Sequence, residues 1–364
     1  MSGRKREATA AAWMLVALSA ALHAGDTGAP GADPASVPAP AQAEAPALSA
    51  DEVYARLLDN HSYSGAELER ARAAIDAALQ AEPSKFEWRF ARAILKRSER
   101  DAAGSLADLE GLAKQQPRNA DVYFQIGQST MATITRDMGF MTMAGVAGDA
   151  KDAWERAVEI DPGHVSSLYA LAQYQIQARQ QGGMLFGSYG AAKKHADTLM
   201  KSPDPQGRFW GTVVLGSIAA AKEDWKEMER QFRAALPLAP RDELKRMVLF
   251  QHAGALSRGK KDPKAALAVL DEAEALADPT DSSMYFMKAE ALRELGDCRK
   301  AVEQYERVLA INADATNTRF HIAACYESLG DKQAAILHYD EFVRRFPKDE
   351  RVKQARASLQ KLRG

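Results

Sequence analysis

The chain of 364 residues is 46% hydrophobic and 27% charged, and its 48 basic side chains balance 49 acidic ones to a formal charge of −1. That composition suits a folded soluble protein and leaves no global basic field, which argues against sequence-independent nucleic-acid binding. Two cysteines exclude a disulfide scaffold or a four-cysteine zinc site, and 7% aromatic content in an alanine-rich chain favours close-packed helices over a β-sandwich.

Arg4, Lys5 and Arg6 precede an apolar run from Ala8 to Ala24 that closes on small residues, Ser19-Ala20-Ala21 and Leu22-His23-Ala24. A basic start, an apolar middle and a small-residue end predict a secretory signal peptide over 1–24. The competing reading is an uncleaved anchor, for which the run is short of the roughly 20 residues a membrane span needs. Residues 25–49 follow, and sixteen of these 25 are Ala, Pro or Gly. Such a segment cannot bury enough apolar surface to offset its ordering entropy, so a disordered linker is expected there.

Beyond the linker, Pro83, Pro117, Pro162, Pro203, Pro240, Pro279 and Pro347 are separated by 34, 45, 41, 37, 39 and 68 residues. Proline cannot continue a helix, so each marks a helix end, and the spacing sets a unit of about 34 with insertions mid-chain. Units 282–315 and 316–349 align at Ala289/Ala323, Leu292/Tyr326, Gly296-Asp297/Gly330-Asp331, Ala301/Ala335 and Tyr305/Tyr339. In each, Gly-Asp separates two runs with apolar residues at helical spacing. The phase extends back through Leu215-Gly216 and Phe232 in 209–242, Ala266 and Leu270 in 247–281, and Leu171-Ala172 and Ala192 in 165–204. It continues through Ile126-Gly127 and Trp154 in 120–164, and Ala93 and Leu109 in 86–119. Residues 51–83 read as a degraded first unit without a proper first helix, and 350–364 as an amphipathic helix capping the open end.

This pattern resembles the tetratricopeptide repeat (TPR) family, and the combination with a leader is similar to exported bacterial members of it. The resemblance implies an all-α solenoid of about eight stacked helix-turn-helix repeats over 50–349. It further implies a concave face lined by the first helices, with repeat position 5 pointing inward. Here that position reads Phe90, Phe124, Tyr169, Val213, Gln251, Phe286 and Phe320. The five aromatic members make a candidate docking track for a peptide or an amphipathic helix, or else they pack against neighbouring repeats. Position 5 is never Lys and position 9 never Asn, which disfavours a clamp for acidic C-termini.

Two insertions stand out, about 11 residues in unit 120–164 and about 7 in unit 165–204, both relative to the 34-residue period. They carry Phe140, Met141, Met143, Met184, Phe186 and Tyr189, a candidate binding rim because methionine-rich surfaces adapt to varied apolar partners. The blander expectation is that the first insertion lengthens the helices and the second tucks beneath it. Catalytic motifs are lacking. The glycine-rich stretch 182–190 has no Lys-Ser/Thr at P-loop spacing, and His321 with Cys325 has no third metal ligand nearby. No cofactor is expected. Cys298 and Cys325 fall on neighbouring helices of the stack and could pair as a disulfide. The expected function is a non-catalytic protein- or peptide-binding scaffold, periplasmic or secreted, with no nucleic-acid partner and no stable membrane insertion after signal cleavage. The alternative is a small-ligand or envelope-polymer carrier with a pocket beneath 133–147 and 180–190.

Overall fold

The computed structural model describes residues 47–59, 61, 63, 65–135, 138–182, 187–276, 282–313 and 315–364, apart from the side chains of Thr316 and Asn317. The expected leader and most of the expected linker lie outside the described residues. Among those described, the secondary structure is helical throughout, with no strand. The chain divides into two compact units, the boundary falling between Lys222 and Glu223.

The first unit holds α1 (Ala50–Leu58), α2 (Gly65–Ala81), α3 (Phe86–Ser98), α4 (Ala102–Gln115), α5 (Ala120–Ala132), α6 (Phe140–Ile160), α7 (Val165–Gly182), α8 (Tyr189–Met200) and α9 (Pro205–Ala221). Each helix packs on the next, and alternate helices also meet at α1–α3, α3–α5 and α7–α9. The first helix expected to be missing is present. α1 is short, but Ser49 caps it reciprocally with Glu52, whose carboxylate takes the Ser49 N–H at 2.9 Å. The second unit holds α10 (Trp225–Ala235), α11 (Asp242–Gly254), α12 (Pro263–Glu274), α13 (Ser282–Glu294), α14 (Cys298–Ile311), α15 (Thr316–Leu329), α16 (Lys332–Arg345) and α17 (Val352–Arg363). A π-helical turn, Ala255–Lys260, follows α11 directly. Here too each helix packs on its successor. Within each unit the architecture is a stack of helix-turn-helix pairs, as in a helical solenoid.

A shared turn explains the Gly-Asp signal. Gly296 and Gly330 adopt φ of 81° and 80°, and Arg100, Glu223 and Lys261 adopt the same left-handed conformation. Each is followed by an aspartate, Asp101, Asp224, Asp262, Asp297 or Asp331, whose carboxylate caps the next helix. In four of these turns the aspartate N–H also closes the preceding helix, bonding Lys96, Leu256, Leu292 and Tyr326 carbonyls at 2.9–3.0 Å. One dipeptide thus ends one helix and starts the next.

Small residues let the paired helices approach, and one large residue fills each gap. A Cβ on Gly127 would lie 2.3 Å from Trp154 Nε1. Leu109, Trp154, Phe232, Leu270, Tyr305 and Tyr339, each from a different one of six repeats, are all buried. α17 lays Val352, Ala355 and Leu359 against Phe320, Tyr339 and Phe342, covering the last repeat.

Candidate partner-binding site

The first insertion becomes helix. α6 starts at Phe140 and runs 21 residues, because Met143, Ala147, Ala150, Trp154 and Ala157 continue one buried stripe at spacings of four and three. Met143 is therefore a core residue, not a rim residue. On the outer side of the same first turn, Phe140 is 41% and Met141 77% exposed. Met184 and Phe186 lie outside the described residues. The end of the second insertion folds back on α7. Gly187 sits so close that a Cβ there would be 2.4 Å from the Gln175 carbonyl oxygen, and the Ser188 N–H donates to Gln175 Oε1 at 3.0 Å. Tyr189 is half-buried, and its hydroxyl donates to the Ala221 carbonyl at 3.2 Å. Its ring is flanked by Arg179 and Lys222, so it serves packing more than exposure. Among the described rim residues, Phe140 and Met141 remain as an open apolar pair.

The aromatic track is not open. Phe90, Phe124, Tyr169 and Phe320 are buried and Phe286 is half-buried. Phe90 meets Tyr54 of α1 edge-on at 6.3 Å, and Tyr169 of α7 meets Trp210 of α9 at 4.3 Å. Phe124 packs on His164, Phe286 on Tyr305 and His321, and Phe320 on Tyr339 and Phe342. The Phe90, Tyr169 and Phe286 rings reach an adjoining repeat, and Phe320 packs on Tyr339 and Phe342 of its own, so position 5 serves the packing of the stack.

Polar side chains further along the same helices add hydrogen bonds between them. Arg97 of α3 donates through Nη1 to Gln125 Oε1 at 2.9 Å and Ser129 Oγ at 3.3 Å, both on α5. Burial pushes its guanidinium down to about 10. The Ser105 and Ser129 hydroxyls pair at 2.8 Å, and Gln173 of α7 donates to Ser217 of α9 at 3.4 Å. Gln128 is buried, and its Oε1 has no hydrogen-bond partner among the described residues. The signal for the Gln173–Ser217 bond was visible at repeat position 9, which reads Gln128, Gln173 and Ser217 in successive units.

In the second unit, Glu290 gathers a polar cluster. Arg293 reaches both its oxygens at 3.2 and 2.8 Å, the Tyr305 hydroxyl donates to Oε1, and His321 Nδ1 lies 3.8 Å away. Burial works to raise this carboxyl, but Arg293, His321 and Tyr305 together hold it below the usual carboxylate range. Burial raises the Tyr305 phenol and lowers the His321 imidazole. The donors converge on the Glu290 carboxylate, so the cluster braces α13 against α14 and α15. Among the described residues, no group of three His, Cys, Asp or Glu is placed to hold a metal ion. A wide depression of about 700 Å³ is lined by residues 116–120, Ile160 and Asp161, away from the stretches 133–147 and 180–190. No described helix is long and apolar enough to cross a membrane.

Comparison with known proteins completes the assignment. A tetratricopeptide-repeat family profile matches residues 286–350. A comparison with curated protein sequences finds no match. Among solved structures, yeast Tom70 is similar at 16% identity and TM-score 0.58, over 86% of this chain and 63% of that one. The APC/C hetero-tetramer Cut9–Hcn1 is similar at 14% identity and TM-score 0.54, over 86% of this chain. The match spans 54% of that longer chain. A tetratricopeptide-repeat protein from Parabacteroides merdae aligns at 13% identity and TM-score 0.50, over 76% of this chain and 96% of that one. The family match covers the last repeats, and the capped hairpins along the chain share the helical-solenoid fold of these tetratricopeptide-repeat structures.

Proposed function

We propose that this chain is a non-catalytic scaffold of the bacterial periplasm that holds a protein or peptide partner, with Phe140 and Met141 as its anchor. The fold class supports protein interaction in general, and Cut9–Hcn1 is itself an assembly of chains. The observation that carries the local assignment is the exposed pair at the start of α6. Its underside is fixed by buried Met143 and Ala147, so the two outer side chains are presented on a rigid element. An exposed methionine beside an aromatic ring offers adaptable apolar contact at little ordering cost. The periplasmic assignment rests on the basic, apolar and small-residue pattern of residues 1–24.

Affinity capture from a periplasmic extract tests the anchor. Phe140→Asp with Met141→Asp should lose at least about tenfold of the captured partner, as expected when a central apolar anchor is removed. Leu337→Asp, at a residue 63% exposed in the second unit, should leave capture unchanged. Equal capture by all three chains would sink the assignment. The intact mass of chain recovered from the periplasmic fraction tests export, with loss of residues 1–21 or 1–24 expected.

A further inference from the structure

The chain's two cysteines share one buried core cluster. Cys298 is the first residue of α14, immediately after its capping Asp297, and Cys325 lies late in α15. Both are buried, and both belong to one core cluster with Ala289, Leu292, Ala301 and Tyr305. Each is a free thiol in this structure, and Cys298 is near enough to act on the Cys325 thiol. The pair spans a repeat boundary, since α14 ends unit 282–315 and α15 begins unit 316–349. Burial, with Cys298 alongside, pushes the Cys325 thiol up to about 12, which suppresses its thiolate once the core has closed. Cys298, at a helix start and the more exposed of the two, is the sulfur positioned to react first.

We propose that Cys298 and Cys325 are a modification site, forming an intramolecular disulfide that joins α14 to α15 and bolts these two repeats together. The proposal is independent of which partner the scaffold holds. The oxidant is a disulfide donor such as oxidised glutathione. The Cys298 thiolate attacks one glutathione sulfur, breaking the donor's S–S bond and releasing one glutathione thiolate. Cys325, as its thiolate, then attacks the Cys298 sulfur of the mixed disulfide and expels the second glutathione. One S–S bond forms and one breaks. Two electrons pass from the protein thiols to the donor, whose two sulfurs take up the two protons. In a repeat array each unit is held only by its neighbours, so a covalent link across one boundary raises the opening cost of the whole C-terminal end.

The full chain, refolded from denaturant in oxidised and reduced glutathione, is quenched with acid, alkylated in denaturant and weighed. The expected product carries no alkyl label, is about 2 Da lighter than the dithiol and gains two labels after reduction. It should melt roughly 5–10 °C above the reduced chain. Cys325→Ser should instead end as a glutathione adduct or a single labelled thiol with unchanged helical content. Two labels on the unreduced wild-type chain, or a stable glutathione adduct on it, would overturn the proposal. A bond that forms without raising the melting temperature would overturn the clamping role.

Discussion

At the scale of single residues, the turn between paired helices is a conformational requirement with a chemical cap attached. The position before the capping aspartate must adopt positive φ, which L side chains occupy at a cost of roughly 1–2 kcal/mol. Gly296 and Gly330 meet the requirement freely, whereas Arg100, Glu223 and Lys261 carry strain. Lys261→Gly should therefore raise stability by about 0.5–1 kcal/mol, the relieved strain being partly offset by greater freedom of the unfolded chain. Gly330→Ala should lower stability by about 1 kcal/mol through the backbone alone, because a Cβ there has open space around it. Urea unfolding followed by circular dichroism checks both signs. A stabilising Gly330→Ala would mean that the turn tolerates another conformation.

At the scale of the helix, tolerance is decided by what stands opposite. Gly127→Ala places a methyl against the buried Trp154 ring, in a gap that neither helix can widen without losing its own contacts. A loss of roughly 1–3 kcal/mol is expected, with a changed near-ultraviolet tryptophan signal. Gly145→Ala, on the exposed side of α6 with nothing within 4 Å, should instead gain up to about 1 kcal/mol from helix propensity. The same distinction explains what could be read from the sequence. Helix pairs were legible because proline, Gly-Asp and the 34-residue period are backbone signals that tertiary context cannot reverse. The lengthened α6 was also written there, in the stripe through Met143, Ala147, Ala150, Trp154 and Ala157. What covers a face was not legible. Periodicity assigns Phe90, Phe124 and Tyr169 to one side of their helices, but only packing reveals that the adjoining repeat closes over them. Phe140 and Met143 are equally apolar, and only the phase of α6 separates the exposed ring from the buried thioether.

At the scale of the molecule, acid should act unequally on the two compact units. His252, His321 and His338 all lie in the second unit, and burial lowers each imidazole below its ordinary value. His252 is pushed down to about 4, by burial first and then by the Arg233 charge, with Glu229 and Glu272 opposing. Its ring is 1% exposed, and Nε2 has no hydrogen-bond partner among the described residues. A histidine with a depressed folded value binds its proton more readily when unfolded. Its contribution is therefore present above about pH 6.5 and is lost as pH falls toward 4, about 3 kcal/mol in all for His252. The first unit holds one such described residue, His195. Amide hydrogen exchange at pH 7 and pH 5, corrected for intrinsic rates, should show protection falling further in α11 to α16 than in α3 to α8. His252→Gln should flatten the pH slope in the second unit while leaving the first unit's slope alone. If protection fell equally in both units, the stability difference would have to reside in groups other than these buried imidazoles, and the separate acid response of Glu223–Gly364 would be lost.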